Sequence, residues 1–282
     1  MDLRCEGLES PVWRVWLVPD ADGVVALGGP GIAALEQLLL RVQAEPLCRA
    51  LVIASDGGEF CRGMDLGALG QVDAHHVDAH HGDAHHGDDL TSRQASTRAA
   101  IAGFARCLGL LRTLRVPSLC VVEGAASGGG VGLVAACDMV IASSVASFVL
   151  PELLLGLIPA VVFPVISERI GPSRARWLAL SGEKIEADTA HQIGLVDEVG
   201  EDLSLVLAAR LKRLLRSSPA AITRLRRFSA DIVGLPLAEA LSAGVARTTA
   251  DVEDPEIGAA IAGFVAGVAP PWFARYRPVG SQ

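Results

Sequence analysis

The amino-acid sequence predicts an α/β fold in which parallel strands alternate with helices. Short runs of β-branched and apolar residues recur through residues 1–200, and segments with the apolar spacing of a helix face separate them. Glycine-bearing turns directly follow two of these runs. Such alternation is typical of parallel strands joined by crossover helices. With 282 residues and 51% hydrophobic composition, the chain can also bury a large core.

The first elements lead to a glycine-bearing turn. Residues 12–18 are β-branched and aromatic between two prolines, which predicts a strand, and residues 24–27 are a candidate for a second one. Apolar residues at the spacing of one helix face predict a helix over 31–44. Residues 49–55 then have the pattern of a buried strand, and the turn at 56–66 would expose backbone N–H groups after it.

Residues 73–89 are a low-complexity segment in which DAHH recurs every five residues, and they hold six of the seven histidines. In a helix, His76 with His80 and His81 with His85 would stand at i,i+4 and could chelate a metal. Glycines, many aspartates and a period of five argue against a stable helix. We therefore predict a surface loop without a metal site, followed by an amphipathic helix over 93–115.

The stretch 116–156 organises the chain. A short apolar strand is predicted over 118–122, a helix of small residues over 131–137, and three consecutive glycines at 128–130 lie between them. Glycines at a helix N-terminus leave backbone N–H groups open to a ligand oxygen. Glu152 follows in an apolar run. A carboxylate in such a run is paired, with Arg174 or Arg176 as candidates, or has a raised pKa, and both cases make it a candidate base.

The rest of the chain is predicted to be mainly helical. Apolar spacing, glycines and prolines define these segments: helices over 160–170, 173–180, 187–193, 204–215, 219–246 with a break at 234–236, and 254–265, and a short strand over 195–199. A helical region after an α/β core often supplies a lid or a subunit interface. We expect an α/β core over residues 1–200 and a helical oligomerisation region over 201–282.

Composition narrows the class of protein. The net charge of −8 argues against nucleic-acid binding. Six scattered cysteines without a CxxC pair are typical of free thiols in a reducing cytoplasm. The chain has no long apolar run and an acidic N-terminal stretch, so we expect a cytoplasmic protein without export or membrane insertion.

Several motifs occur in the order found in one family. They are FCRGMDL at 60–66, GAASGGG at 124–130, CDMVIA at 137–142, PELLLG at 151–156 and the run at 181–199. Over roughly residues 10–270 the chain resembles the enoyl-CoA hydratase/isomerase (crotonase) superfamily. The resemblance implies a spiral of β-β-α units and a helical C-terminal trimerisation region. Asp65 and Asp138 have the pattern of a helix cap and of a backbone partner.

The same resemblance implies a site for an acyl thioester. Glu152 would be the catalytic acid/base, and the backbone N–H groups of Met64 and Gly129 would form an oxyanion hole. The implied substrate pocket consists of Gly63, Gly128, Gly132, Pro151 and Ile158. No cofactor or metal is implied, because the substrate brings its own phosphopantetheine arm on CoA or acyl carrier protein (ACP).

One departure from the family pattern narrows the reaction. Typical hydratases carry a second glutamate where this chain has Gly132. Residues 148–171 are most similar to the dehydratases of polyketide β-branching, which implies conversion of 3-hydroxy-3-methylglutaryl-ACP to 3-methylglutaconyl-ACP. An enoyl-CoA hydratase/isomerase, a decarboxylase acting on another acyl-CoA, and a non-catalytic carrier-binding protein remain open.

The implied partners are an acyl-ACP or acyl-CoA, with ACP favoured, and other copies of the chain in a homotrimer or a dimer of trimers. Basic residues at 210–227 would suit an acidic carrier, or equally a solvated helix surface paired with local acids.

Overall fold

The computed structural model describes residues 1–64 and 86–276. The chain divides into two compact units, Met1–Leu207 and Ala208–Gln282. The first unit is mixed α/β, and the second is helical in its described part.

Two sheets form the first unit. The larger has the strand order β1 (Asp2–Glu6), β2 (Val12–Val18), β3 (Ala50–Ser55), β5 (Ser118–Val122), β7 (Met139–Ser143) and β10 (Glu198–Gly200). The smaller has the order β4 (Glu59–Cys61), β6 (Ala125–Ser127), β8 (Ser147–Val149) and β9 (Ile185–Glu186). Only β1 and β9 pair antiparallel to their neighbours among these strands. The predicted α/β class with parallel strands is therefore confirmed.

Helices cover and connect these strands. In the first unit they are α1 (Gly29–Ala44), α2 (His86–Thr113), α3 (Gly129–Ala136), α4 (Phe163–Ile170), α5 (Pro172–Ser181) and α6 (Ala187–Gln192), with a 3₁₀ turn at Glu152–Leu155. α7 (Leu203–Leu214) begins in the first unit and ends in the second. The second unit continues with α8 (Pro219–Asp231), α9 (Leu237–Val252) and α10 (Pro255–Val265).

The core of the first unit lies between the helices and the sheets. All five residues of β5 are buried, as expected for a parallel strand covered on both faces. Helix α1 buries the apolar face that its sequence spacing predicts. Phe60 in β4, Phe104 in α2 and Phe148 in β8 are the largest fully buried side chains among the described residues.

At the N-terminus one prediction needs correction and one strand was missed. Residues 24–27 do not form a strand, because only Leu27 makes a bridge, to Met64, before α1 begins at Gly29. Strand β1 was not predicted. Its five residues are mostly polar and half-exposed, and the antiparallel pairing with β2 holds them in the sheet.

The His-rich segment lies largely outside the described residues. Helix α2 begins at His86, so residues 86–89 of the predicted loop are helical and the helix starts seven residues before the predicted 93. Once nucleated, a helix extends at little cost per residue. Within 1–64 and 86–276, no group of three His, Cys, Asp or Glu side chains is placed to hold a metal ion. No helix in that part of the chain is long and apolar enough to cross a membrane.

The second unit leaves much apolar surface uncovered. None of the residues in α8, α9 and α10 is buried, although Leu241, Phe264 and Val265 are large and apolar. Exposed apolar surface of this kind often marks a protein–protein contact. The predicted role of this region in oligomerisation stays a prediction.

Arg169 ties α4 to the edge of the larger sheet. Its guanidinium donates to the backbone oxygens of Leu195 (2.7 Å) and Cys137 (2.8 Å) and to the Asp197 carboxylate (2.6 Å). The same Asp197 oxygen accepts from the Val140 N–H at 2.6 Å. The Arg169 side chain is only 10% exposed, so its two bonds to backbone oxygens are partly buried, whereas the Asp197 side chain is 46% exposed.

We expect Arg169→Met to lower the free energy of unfolding by about 2–3 kcal/mol, because it removes the guanidinium that donates to two backbone carbonyls and leaves Asp197 with only the Val140 N–H. Urea denaturation measures the change. Arg106→Met is a matched control, since the Arg106–Glu36 pair is exposed and should matter little. Equal losses in the two variants would contradict the role of Arg169.

Candidate active site

The site is a cavity of about 340 Å³ inside the first unit. The ends of β4 and β6 form its floor, α2 contributes one wall, and residues 151–162 form the other. Most of the lining is apolar. Arg62, Ser127 and Glu152 are the polar side chains among the described lining residues.

Two glycine turns meet at the floor of this cavity. Gly63 has φ 85°, and a Cβ atom on it would lie 2.7 Å from the Gly129 nitrogen and 2.8 Å from the Ser127 oxygen. No larger residue fits there. The Leu27 N–H donates to the Gly63 oxygen at 2.7 Å, which fixes the peptide that leads into Met64. The two turns predicted to form the oxyanion hole are therefore in direct backbone contact.

The N–H of Gly129 is available to a ligand for a structural reason. Gly129 is the first residue of α3, and the first N–H groups of a helix have no acceptor within the helix. The partial positive charge at a helix N-terminus also favours an oxygen that carries negative charge. Met64 and Gly129 both line the cavity.

Glu152 lies beside these turns, at the start of the 3₁₀ turn that follows Pro151. A Cβ atom on Gly128 would lie 3.0 Å from Oε1 of Glu152, so the carboxylate packs against this glycine. Its Oε2 is buried, and no hydrogen bond reaches it from the described part of the chain. Burial therefore raises the pKa of Glu152, an effect that its own backbone hydrogen bond partly offsets.

Of the two alternatives for Glu152, the structure agrees with the raised pKa and not with the ion pair. No ion pair with Arg174 or Arg176 forms within the described residues, where Arg174 instead donates to the Ile193 oxygen. The leucines that follow Glu152 do not bury it, since Leu154 is 77% exposed. The Glu152 carboxylate is instead shielded by the glycine turn at Gly128, against which it packs.

Gly132 does not line the cavity. It is fully buried in α3, and a Cβ atom on it would lie 2.3 Å from Cγ1 of Val162. Val162 itself lines the cavity. An apolar side chain from another segment thus covers the position where typical hydratases carry their second glutamate.

The other predicted site residues divide into two groups. Met64, Gly128, Gly129, Pro151, Glu152 and Ile158 line the cavity. Gly63 and Gly132 pack behind it, so they shape the site without forming its surface. Asp138 is a backbone partner, as predicted: its carboxylate accepts from the Ser118 N–H at 2.7 Å. Asp65 lies outside the described residues.

Several lining residues were not predicted. They are Arg62, Ile101, Phe104, Ser127, Leu155, Leu157, Pro159, Ala160, Val161 and Val162. Arg62 and Ser127 stand inside the two glycine motifs, two positions before Met64 and Gly129, and this spacing could have identified them. Val162 had no such signal, because its role depends on a contact with Gly132.

Comparison with known proteins agrees with this geometry. Residues 86–273 match the family model of enoyl-CoA hydratase/isomerase. The chain is 26% identical to Pseudomonas aeruginosa AtuE, with a TM-score of 0.81 over 97% of this chain and 100% of that one. It is 27% identical to an enoyl-CoA hydratase/isomerase from Marinobacter aquaeolei, with a TM-score of 0.80 over 96% and 99% of the two chains.

Two curated relatives are similar over shorter stretches. The bacillaene synthase dehydratase PksH of Bacillus subtilis is 36% identical over 111 residues, which are 39% of this chain and 43% of PksH. The enoyl-CoA hydratase ACTT6 of Alternaria alternata is 30% identical over 168 residues, which are 60% of this chain and 49% of that protein. Each match thus spans less than half of the relative.

The family model covers more than half of the chain. The chain belongs to the enoyl-CoA hydratase/isomerase family, the crotonase superfamily, and the fold implied by its motifs is confirmed.

We expect Gly132→Ala to destabilise the fold by about 1–3 kcal/mol, because the added methyl group overlaps Val162. Combining it with Val162→Ala should restore part of that loss, with a coupling energy of about 1 kcal/mol in a double-mutant cycle. Gly109→Ala in α2 is the control, since a Cβ there meets nothing within 4 Å and alanine favours a helix. Strictly additive losses in the cycle would contradict the contact.

Glu152→Gln tests the raised pKa through stability. When a carboxyl has a higher pKa in the folded than in the unfolded state, the protein becomes less stable as the pH rises from the lower to the higher of these two pKa values. The amide of Glu152→Gln does not ionise, so the variant does not lose stability in this way. The stability of Glu152→Gln relative to wild type should therefore improve from about pH 4 to 8, measured by urea denaturation across that range. A relative stability that falls with pH would contradict the raised pKa.

Proposed function

We propose that this chain dehydrates a 3-hydroxyacyl thioester, and that its substrate is 3-hydroxy-3-methylglutaryl-ACP, which becomes 3-methylglutaconyl-ACP. The observation that carries the proposal is the cavity itself. Among the described lining residues one desolvated carboxylate, Glu152, packs against the Gly128 turn, and Val162 covers the position of the second family glutamate.

The reaction can proceed with one carboxylate. The Glu152 carboxylate takes the proton from C2, and the electron pair of that bond moves toward the thioester carbonyl as an enolate. The N–H groups of Met64 and Gly129 donate to the enolate oxygen, where negative charge develops. The enolate then re-forms the carbonyl as the C2–C3 double bond forms and the C3–oxygen bond breaks. Glu152 gives its proton to the departing hydroxyl, and water leaves on the same face.

Burial of Glu152 suits both steps. A raised pKa makes its carboxylate a stronger base toward C2 and keeps the acid form accessible for the hydroxyl group. No additional cofactor is required, because the substrate brings its own phosphopantetheine arm.

Two observations support the branched acyl group and the carrier. The chain is similar to a protein named as a dehydratase of bacillaene synthase, and a branched acyl group needs an apolar wall such as the one at Val161 and Val162. Lys212 and Arg213 in the last turn of α7 are candidates for contact with an acidic carrier. We also infer assembly with other copies of this chain, for which the exposed apolar faces of α9 and α10 are available.

A hydratase or isomerase acting on an acyl-CoA is the second candidate, because relatives with those names match the chain. It would use the same Glu152 and the same two turns. The two candidates differ in the acyl group and its carrier. Incubation with 3-hydroxy-3-methylglutaryl-ACP, followed by mass, distinguishes loss of water, loss of carbon dioxide and no change.

Glu152→Gln should reduce single-turnover dehydration by about 10²–10⁴-fold, because it removes the group that transfers both protons. The amide is nearly the same size, so thioester binding should persist. In the wild type, kcat/KM should fall in acid, with a midpoint above the ordinary pKa of glutamate, since the base must be ionised. Near-wild-type elimination by Glu152→Gln would refute the mechanism.

A further inference from the structure

Two polar side chains of the cavity have no part in the proton transfers. Arg62 and Ser127 each stand two residues before an oxyanion residue, Met64 or Gly129, and both line the cavity. The remaining lining is apolar apart from Glu152, within the described residues. A charged side chain placed in such a lining suggests a ligand with a complementary charge.

These two residues directly follow a pair of facing strand residues. Strands β4 and β6 pair parallel, with Cys61 at the end of β4 opposite Ala126, and Arg62 and Ser127 are the next residues along the chain. Paired strands lie about 4.8 Å apart. A guanidinium and a hydroxyl at this spacing can donate together to one carboxylate.

The guanidinium of Arg62 has N–H groups that its pair with Glu59 does not use. Glu59 accepts from Nε and Nη2 of Arg62, and no hydrogen bond in the described part of the chain engages Nη1. Ser127 makes no side-chain hydrogen bond there either. The charges of Glu59 and Asp20 both act on Arg62, so a substrate carboxylate would compete with them and gain only a moderate interaction.

The short separation between Arg62 and Met64 along the chain favours a carboxylate on the acyl group over a phosphate of the carrier as the ligand of Arg62. Arg62 lies two residues from Met64, at most about 7 Å along the backbone. In a five-carbon diacid, four bonds of about 1.5 Å separate the thioester carbon from the free carboxylate. The phosphate of the pantetheine arm is separated from the carbonyl by many more bonds, on the other side of the thioester sulfur.

We propose that Arg62 and Ser127 form a subsite for the free carboxylate of a short dicarboxylic acyl group. The subsite rests on the proposed function, because it assumes that a thioester carbonyl is held at Met64 and Gly129. It makes the enzyme selective for acyl groups that end in a carboxylate.

Binding of unreactive thioesters tests the subsite independently of catalysis. Glutaryl-pantetheine has the carboxylate and lacks the 3-hydroxyl, and its methyl ester lacks the charge. By calorimetry, wild type should bind the acid about five- to tenfold more tightly than the ester. Arg62→Gln should abolish this preference, and Ser127→Ala should reduce it.

Arg106→Gln is the matched control. Arg106 makes the same bidentate pair, with Glu36, and its side chain is 58% exposed against 57% for Arg62, but it does not line the cavity. It should keep the full preference for the acid. Thermal unfolding of each variant confirms that the fold is retained.

Three results would overturn the subsite. The first is equal affinity of wild type for the acid and the ester. The second is an equal loss of affinity for both in Arg62→Gln. The third is a loss of affinity only for CoA thioesters, whatever the acyl group, which would assign Arg62 to the phosphates of CoA. A wild type that prefers the acid but does not dehydrate 3-hydroxy-3-methylglutaryl-ACP would retain the subsite and refute the proposed function.

Discussion

The site depends on backbone contact between the strand ends around β4 and β6. A Cβ atom on Gly124 would lie 2.1 Å from the Gly58 oxygen, one on Gly130 would lie 2.3 Å from the Cys61 oxygen, and one on Gly63 would lie 2.7 Å from the Gly129 nitrogen. Side chains are excluded at three points along this seam. The directions of the N–H groups are therefore set by the path of the chain, and a backbone held in this way needs little reorganisation when charge develops on a bound oxygen.

The same packing determines the state of Glu152. Its carboxylate packs against the glycine turn, and no hydrogen bond from the described residues reaches its Oε2. Removal from water raises its pKa more than its own backbone hydrogen bond lowers it, so the carboxyl holds its proton to a higher pH than an ordinary glutamate. The turn proposed to receive the carbonyl oxygen thus also shields the proposed base beside it from water.

The sequence predicted those parts of the fold and site that depend on local pattern. Val12–Val18 and Ser118–Val122 have the bounds expected from their continuous apolar runs. The three-residue strands β4, β6 and β8 were not predicted, because strands this short have no periodicity and form by pairing with distant segments. Motifs identified Gly129 and Glu152. The proximity of Arg62 to Ser127 depends on the register in which β4 and β6 pair, and the local sequence of these short strands does not predict that register.

The contact between Gly132 and Val162 has a consequence for how this chain could change over time. A glutamate at 132 has no space while Val162 keeps its isopropyl group, and shrinking Val162 first opens a void in a packed interior. Each single step towards a second carboxylate is therefore harmful, although the pair together could be tolerated. A second carboxylate at position 132 therefore requires changes at both positions together.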